Sequence, residues 1–157
     1  MQETLLNETL RVPIPEGFHQ MTEEETRKLR TLEAGPGVCL SDPRRHILVS
    51  MGWKRVGALV SFLLNPKDIA TNAEKQAHKA MESHGYRCLG FSSRQIAGAR
   101  AEGYRYTYTA NGVGMVSETF AAKIGKTIYY FHFYARSAGE AGFDVWSALL
   151  DGIAPAK

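Results

Sequence analysis

The sequence predicts an α+β domain in which a curved antiparallel sheet of about six strands is flanked by helices. Four strand-like segments follow one another from Tyr86 onward, short turns separate them, and helical segments stand before and after them. Short hairpin connections make neighbouring strands antiparallel, whereas parallel strands need long crossover connections. The order of elements therefore favours an α+β arrangement over a doubly wound parallel sheet.

The first half of the chain contains short strands and helices with clear boundary signals. Residues 10–15 alternate apolar and other side chains and end in proline, which favours a short edge strand. Thr22 and Glu25 have the spacing of a capping box, which predicts a helix from this point to about Leu32. Residues 38–40 and 47–51 suggest two strands joined by a turn at residues 41–44.

Two more helices and a hairpin follow. Apolar residues at 56, 59, 60 and 63 have the spacing of one helical face, which predicts a short helix. Asn65-Pro66 begins a second helix as cap and first residue, and Gly85 ends it. Asn111-Gly112 predicts a type I′ turn, because that turn needs two positive φ angles. A second capping box at residues 137–140 begins a last helix with an apolar stripe that includes Trp146.

Length and composition indicate one domain, residues 1–157. The chain has 44% apolar and 22% charged residues, which is ordinary for a globular protein and excludes disorder. No apolar run reaches 18 residues, so no membrane insertion is expected. The first residues lack the basic start and apolar centre of a secretory signal, so we expect a cytoplasmic protein unless a leader has been removed.

The motifs of common catalytic and metal sites are missing from the sequence. The five histidines and two cysteines have no zinc spacing, and no serine stands in G-x-S-x-G. Gly112-Val113-Gly114 lies in a hairpin, where it cannot place a phosphate at a helix N-terminus. We therefore expect no catalytic residue, no metal and no cofactor. Nucleic-acid binding is not expected either, because Arg87, Arg94 and Arg100 are spread along different segments.

Aromatic residues on two predicted strands are the candidate binding residues. Side chains two apart share a face of a strand, so one face presents the set Tyr104, Tyr106, Tyr130, His132 and Tyr134, with Arg105 as a charged contact at its rim. Phe131 and Phe133 point to the opposite face, where we expect them to pack on Trp146. The tyrosines either form cross-strand pairs beneath covering helices or line a groove for a peptide or ligand.

Several segments together resemble the PsbP/Mog1/DcrB-like group of α/β sandwich domains. They are residues 10–18, which run from a strand into Pro-Glu-Gly-Phe, the strand-like residues 103–108 and 129–136, and the final helix with Trp146 and Leu149-Leu150. The resemblance implies a curved antiparallel sheet flanked by helices. Members of the group are binding modules, among them a Ran-binding factor, a photosystem subunit and chaperones of type six secretion effectors.

Two functional hypotheses follow. The first is a non-catalytic protein-binding or chaperone-like module, whose partner is another protein or a second copy of the chain. The alternative is a small-ligand-binding domain with a pocket near Tyr130, His132 and Tyr134, or a weak enzyme that uses this pocket. An open apolar surface would favour the first hypothesis, and a closed pocket with converging polar groups would favour the second.

Overall fold

The computed structural model describes residues 2–30, 35–137 and 141–156. Within these ranges the strands are β1 (Glu3–Leu6), β2 (Leu10–Pro13), β3 (His19–Gln20), β4 (Gly37–Asp42), β5 (Ile47–Arg55), β6 (Arg87–Ile96), β7 (Ala99–Ala110), β8 (Val113–Ile124), β9 (Thr127–Arg136) and β10 (Ala154–Pro155). The α-helices are α1 (Glu23–Leu29), α2 (Ala58–Leu63), α3 (Pro66–Met81) and α4 (Ala141–Asp151). A short 3-10 helix, Glu82–His84, follows α3.

The described strands form two antiparallel sheets. The larger has seven strands in the order β3-β4-β5-β9-β8-β7-β6, and the smaller has the order β1-β2-β10. The fold is therefore α+β, as predicted, with one strand more than expected in the large sheet. The prediction that residues 10–15 form an edge strand is wrong. Strand β2 is the middle strand of the small sheet, because β1 and β10 pair with its two sides.

The helix starts predicted at Thr22 and Asn65 are present. Glu25 N–H donates to Thr22 Oγ1 at 3.1 Å, and Thr22 N–H donates to the Glu25 carboxylate at 2.9 Å, which completes the capping box of α1. Asn65 caps α3 by accepting from Asp68 N–H at 2.9 Å. The predicted extension of α1 to Leu32 and the capping box at residues 137–140 include positions outside the described residues.

The four strands of the predicted meander are joined by tight turns. Asn111 and Gly112 have φ angles of +51° and +79°, which confirms the type I′ geometry expected for this pair. Ala97 and Gly98 make a similar turn between β6 and β7, with φ angles of +53° and +80°. The sequence does not signal this second turn, because alanine rarely adopts a positive φ.

The core lies between the two sheets and α4. We call the side of the large sheet that contains Tyr129, Phe131 and Phe133 the inner face, because it packs against the small sheet and α4. Trp146 is 1% exposed and its ring centroid lies 5.3 Å from that of Phe133, as the sequence predicts. The opposite side, which contains Tyr130, His132 and Tyr134, is the outer face.

Candidate binding site

Five of the six candidate residues lie on the outer face. In the strand register, Tyr104 on β7 faces Thr119 on β8, which faces His132 on β9. One pair further along, Tyr106 and Tyr134 face Ser117 from its two sides. Directly paired residues point to the same side of an antiparallel sheet. The predicted tyrosines and His132 therefore form two rows, separated by the small side chains of β8.

Each row is a stack of rings along its strand. On β7 the ring centroids of Tyr104 and Tyr106 are 5.5 Å apart, and those of Tyr106 and Tyr108 are 5.7 Å apart. On β9 the His132 ring lies 6.4 Å from Tyr130 and 6.2 Å from Tyr134. These separations are within the range of favourable aromatic pairs. The rows are thus ordered before any partner arrives.

Helix α3 covers the β7 row. Tyr104 and Tyr106 are 3% and 4% exposed, so neither offers surface to a partner in this structure. Tyr86 lies between the helix and this row: its ring centroid is 5.2 Å from that of Tyr106, with the two rings tilted, and its hydroxyl donates to the Glu74 carboxylate of α3 at 2.8 Å. Burial raises the pKa of Tyr104, which therefore stays a neutral phenol.

Arg105 does not join the tyrosines. It follows Tyr104 in the strand and so points to the inner face. There its guanidinium donates to the buried Glu118 carboxylate at 3.1 Å and lies 3.8 Å from the centroid of the Phe143 ring. The other oxygen of Glu118 accepts from Trp146 Nε1 at 2.9 Å. Arg105 is therefore part of the contact between α4 and the sheet. The prediction that Arg105 is a charged contact at the rim of the tyrosine set is wrong.

His132 is held as a neutral imidazole. Its Nδ1 lies 3.0 Å from Thr119 Oγ1. Burial and, to a smaller extent, the positive charge of Arg30 together lower the pKa of His132 to about 4. At neutral pH the ring is uncharged and is a weak base. This is a poor arrangement for acid–base catalysis, which works best with a pKa near the working pH.

Arg30 covers the outer face of β4 and β5. It stands at the end of α1, is 7% exposed, and donates to Ser50 Oγ at 3.1 Å. Its side chain crosses Gly37 and Gly52, which are paired across the two strands. A Cβ at either glycine would lie 2.2 or 2.3 Å from an Arg30 nitrogen. The sequence signal for this close approach of the Arg30 side chain to the sheet is a pair of glycines that face each other on neighbouring strands. The sequence analysis did not identify it.

An open groove lies beside this cover, with a volume of about 490 Å³. Met21 and Leu29 line it on the side of α1, Leu48 and Ser50 come from β5, and other residues come from the ends of the central strands: Tyr108, Met115 and Tyr134. Leu29 is 48% exposed. Tyr134 is the candidate residue that reaches this groove. The sequence analysis missed Leu29, Leu48 and Met115, because their meeting depends on where α1 packs.

The described residues contain no metal centre. Among residues 2–30, 35–137 and 141–156, no three His, Cys, Asp or Glu side chains come together in a way that could hold a metal ion. Cys39 is buried on the outer face, and Cys88 is half-buried at the start of β6; neither forms a disulfide bond within the part of the chain that the structure describes. The polar side chains of the site include hydroxyls, the neutral imidazole of His132, the buried guanidinium of Arg30 and, along the groove, Asp42 and His46.

The fold is similar to several solved structures, although no family model and no curated protein matches the chain. Cyanobacterial PsbP (CyanoP) from Synechocystis sp. PCC 6803 superposes with a TM-score of 0.67 at 11% identity, over 98% of this chain and 91% of the other. LpqN of Mycobacterium tuberculosis, involved in cell envelope biogenesis, has a TM-score of 0.66 at 13% identity, over 93% and 82%. The Saccharomyces cerevisiae Ran-binding protein Mog1p has a TM-score of 0.51 at 12% identity, over 99% and 86%.

These likenesses define a class by fold. The chain has the PsbP/Mog1-like fold, in which a large antiparallel sheet is flanked by helices, as the resemblance in the sequence implies. At such low identity the similarity extends to the fold alone, and one fold supports many functions. The function must therefore be argued from the site.

Proposed function

We propose that this protein is a non-catalytic binding module that holds a segment of another protein in the groove of its outer face. One observation supports the proposal above others. The groove is open along the sheet and is lined by Met21, Leu29, Leu48, Met115 and two tyrosines. Methionine and tyrosine are enriched in protein interfaces. The methionine side chain is flexible and adapts to a partner, whereas the tyrosine ring offers a rigid contact area.

The candidate residues have different roles in this proposal. Tyr134 contacts the partner directly, and Tyr130 and His132 continue the same row of rings along β9. Tyr104 and Tyr106 are buried beneath α3 and support the row from the neighbouring strand. A rigid, preordered surface reduces the entropic cost of binding.

The chemistry of the groove favours binding over catalysis. His132, the neighbour of the groove residue Tyr134 on β9, is neutral and weakly basic, because its pKa is about 4. Asp42 and His46 also line the groove, and the Asp42 carboxylate is paired with the side chain of Arg45. The hydroxyls of Ser41 and Ser50 also line the groove, and they are the observation in favour of the second candidate, a small polar ligand. A small ligand is normally enclosed over most of its surface, so the open shape of the groove favours a protein segment.

The experiment uses a photo-activated cross-linking amino acid at Met21, at the rim of the groove, in cells that express the full chain. We expect a covalent adduct with one protein partner, a second copy of this chain included. Leu29→Glu places a charge in the apolar groove and should reduce the adduct about tenfold or more, as hot-spot changes do. Leu89→Glu is the matched control, because Leu89 on β6 is 51% exposed and Leu29 is 48% exposed.

Three outcomes would contradict the proposal. They are no adduct from Met21, an equal loss in the Leu29→Glu and Leu89→Glu proteins, or turnover of a small molecule that depends on His132. Both leucines are exposed, so each variant should keep the melting temperature of the parent to within about 2–4 °C. The melting temperature therefore distinguishes a variant that has lost partner binding from one that has lost its fold.

A further inference from the structure

Helix α2 presents its apolar side chains to solvent. Four of its six residues are large and apolar, and their exposed fractions are 72% for Leu59, 48% for Val60, 83% for Phe62 and 68% for Leu63. Ser61 is the buried residue of this helix. A helix packed on a core normally has the reverse arrangement, with apolar residues inside and polar residues outside. The exposed side chains therefore need an explanation other than the stability of the fold.

Polar contacts hold the helix in this orientation. Ser61 Oγ donates to the carbonyl of Gly125 at 3.1 Å, in the turn between β8 and β9. Lys123 Nζ donates to the carbonyls of Ser61 and Leu64 at the end of the helix. Val56, two residues before the helix, donates its N–H to the carbonyl of Lys126 at 2.8 Å. The sheet thus binds the polar side of α2 and leaves the apolar side pointing outward.

The surroundings of α2 are basic. Residues 52–68 and 121–129 contain one acidic residue, Asp68, and five basic residues: Lys54, Arg55, Lys67, Lys123 and Lys126. Lys54 and Arg55 are exposed at the end of β5, and Lys126 is exposed in the adjacent turn. Exposed apolar side chains surrounded by positive charge are the surface that an anionic lipid bilayer binds, through its acyl boundary and its headgroups.

We propose that α2 docks this protein on the surface of an anionic membrane. Phe62, Leu59 and Leu63 enter the boundary between headgroups and acyl chains, while the exposed basic residues contact lipid phosphates: Lys54, Arg55, Lys67 and Lys126. The helix lies on the bilayer and does not cross it: no helix in the described ranges is long and apolar enough to span a membrane. This surface is separate from the groove of the outer face and does not depend on the function proposed for it.

The experiment is sedimentation of the full chain with vesicles. Two compositions are compared, phosphatidylcholine alone and equal parts of phosphatidylcholine and phosphatidylglycerol. We expect the protein to bind the anionic vesicles about tenfold or more tightly. Phe62→Ser together with Leu63→Ser should reduce that binding about tenfold or more. Lys54→Gln together with Lys126→Gln should reduce binding to the anionic vesicles and weaken its dependence on salt.

The matched control changes exposed apolar residues elsewhere. Leu89 and Phe91 on β6 are 51% and 54% exposed, so Leu89→Ser together with Phe91→Ser removes a similar surface. This control should bind anionic vesicles as the parent does. In a Phe62→Trp protein, the added tryptophan emission should shift to shorter wavelength on anionic vesicles, because the ring enters a less polar environment.

Several outcomes would overturn the proposal. They are no sedimentation with anionic vesicles, equal binding to both compositions, or an equal loss in the control variant. Self-association without lipid that disappears in the Phe62→Ser, Leu63→Ser protein would assign α2 to contact with a second copy instead. A protein partner lost in that variant while vesicle binding is absent would assign α2 to that partner.

Discussion

The two faces of the large sheet have the same strands and similar aromatic content, yet they are covered very differently. On β9, Phe131 and Phe133 are 0% and 1% exposed beneath α4 and the small sheet, whereas the alternating residues Tyr130, His132 and Tyr134 remain half-buried. The inner face is covered by a whole sheet and a helix. The outer face is covered by α3 over β7 and β8 and by α1 beside β4.

Because the two faces are covered differently, their polar groups also differ in how they are paired. On the inner face, Glu118 receives hydrogen bonds from both Trp146 and Arg105, so a buried charge is fully paired. Such pairing is required where water is excluded, because an unpaired buried charge is costly. On the outer face, Ser50 is buried and accepts from Arg30, whereas Tyr134 lines an open groove. The inner face is therefore fully packed and paired, whereas the outer face keeps an open groove, where we propose that a partner binds.

The largest effect is expected on the inner face, from Trp146→Ala. The change removes a side chain that is 1% exposed and leaves one oxygen of Glu118 without its donor. We expect a loss of about 3–5 kcal/mol in the free energy of unfolding, measured in urea. Trp53→Ala is the control: Trp53 is half-buried at the end of β5, so its loss should be smaller.

A second variant separates packing from hydrogen bonding. Trp146→Phe keeps a large ring but removes the donor to Glu118, and should cost about 1–3 kcal/mol. If Trp146→Ala melted within about 2 °C of the parent, α4 would not be docked on the sheet as described, because 1 kcal/mol corresponds to about 2–4 °C in a domain of this size.

The features of the fold that the sequence predicts correctly are mostly local ones. The capping box at Thr22 and the Asn111-Gly112 turn depend on residues a few positions apart, so the sequence predicts them correctly. The inner-face pattern of Phe131 and Phe133 was also predictable, because alternation and the stripe of the last helix agree. The turn at Asn7 and Glu8 was not, because it has two positive φ angles without glycine.

The candidate site was predictable only in part, because it depends on tertiary packing. Alternation correctly places the tyrosines and His132 on one face, but it cannot show which of them a helix covers. Arg30 crosses Gly37 and Gly52 only after α1 has packed beside β4, so no local pattern identifies it. For α2 the apolar spacing predicts the helix, while the exposure of that stripe depends on contacts of Ser61 and Lys123 with distant residues.

An intermediate effect is expected from pH at His132 on the outer face. The pKa is about 4 in the folded protein and 6.5 in the unfolded chain. As the pH falls, the unfolded chain therefore binds the proton first. The stability contribution is fully present above about pH 6.5 and is lost between about pH 6.5 and 4, with an upper limit of roughly 3 kcal/mol.

Urea unfolding at several pH values measures this contribution. His132→Gln removes the titrating group, so the free energy of unfolding of that variant should fall less steeply below pH 6.5. The same pH dependence in both proteins would mean that His132 is accessible to water and that the outer face is more open than its packing indicates.

The smallest effect is expected from Tyr130→Ala, and its neighbour provides the control. Tyr129 and Tyr130 are consecutive on β9 and point to opposite faces. Tyr129 is 1% exposed and its hydroxyl is hydrogen-bonded to Thr9, so Tyr129→Ala should cost about 3–5 kcal/mol. Tyr130 is half-buried and stacks along its strand on His132, so Tyr130→Ala should cost about 1 kcal/mol.

The difference between these two variants measures how far the faces differ, because the residue type, the strand and the substitution are the same. Thermal unfolding followed by circular dichroism gives both values in one experiment. A cost for Tyr130→Ala as large as that for Tyr129→Ala would make the β9 row part of the core. The outer face would then lack free area for a partner, and the binding function proposed for its groove would lose its structural basis.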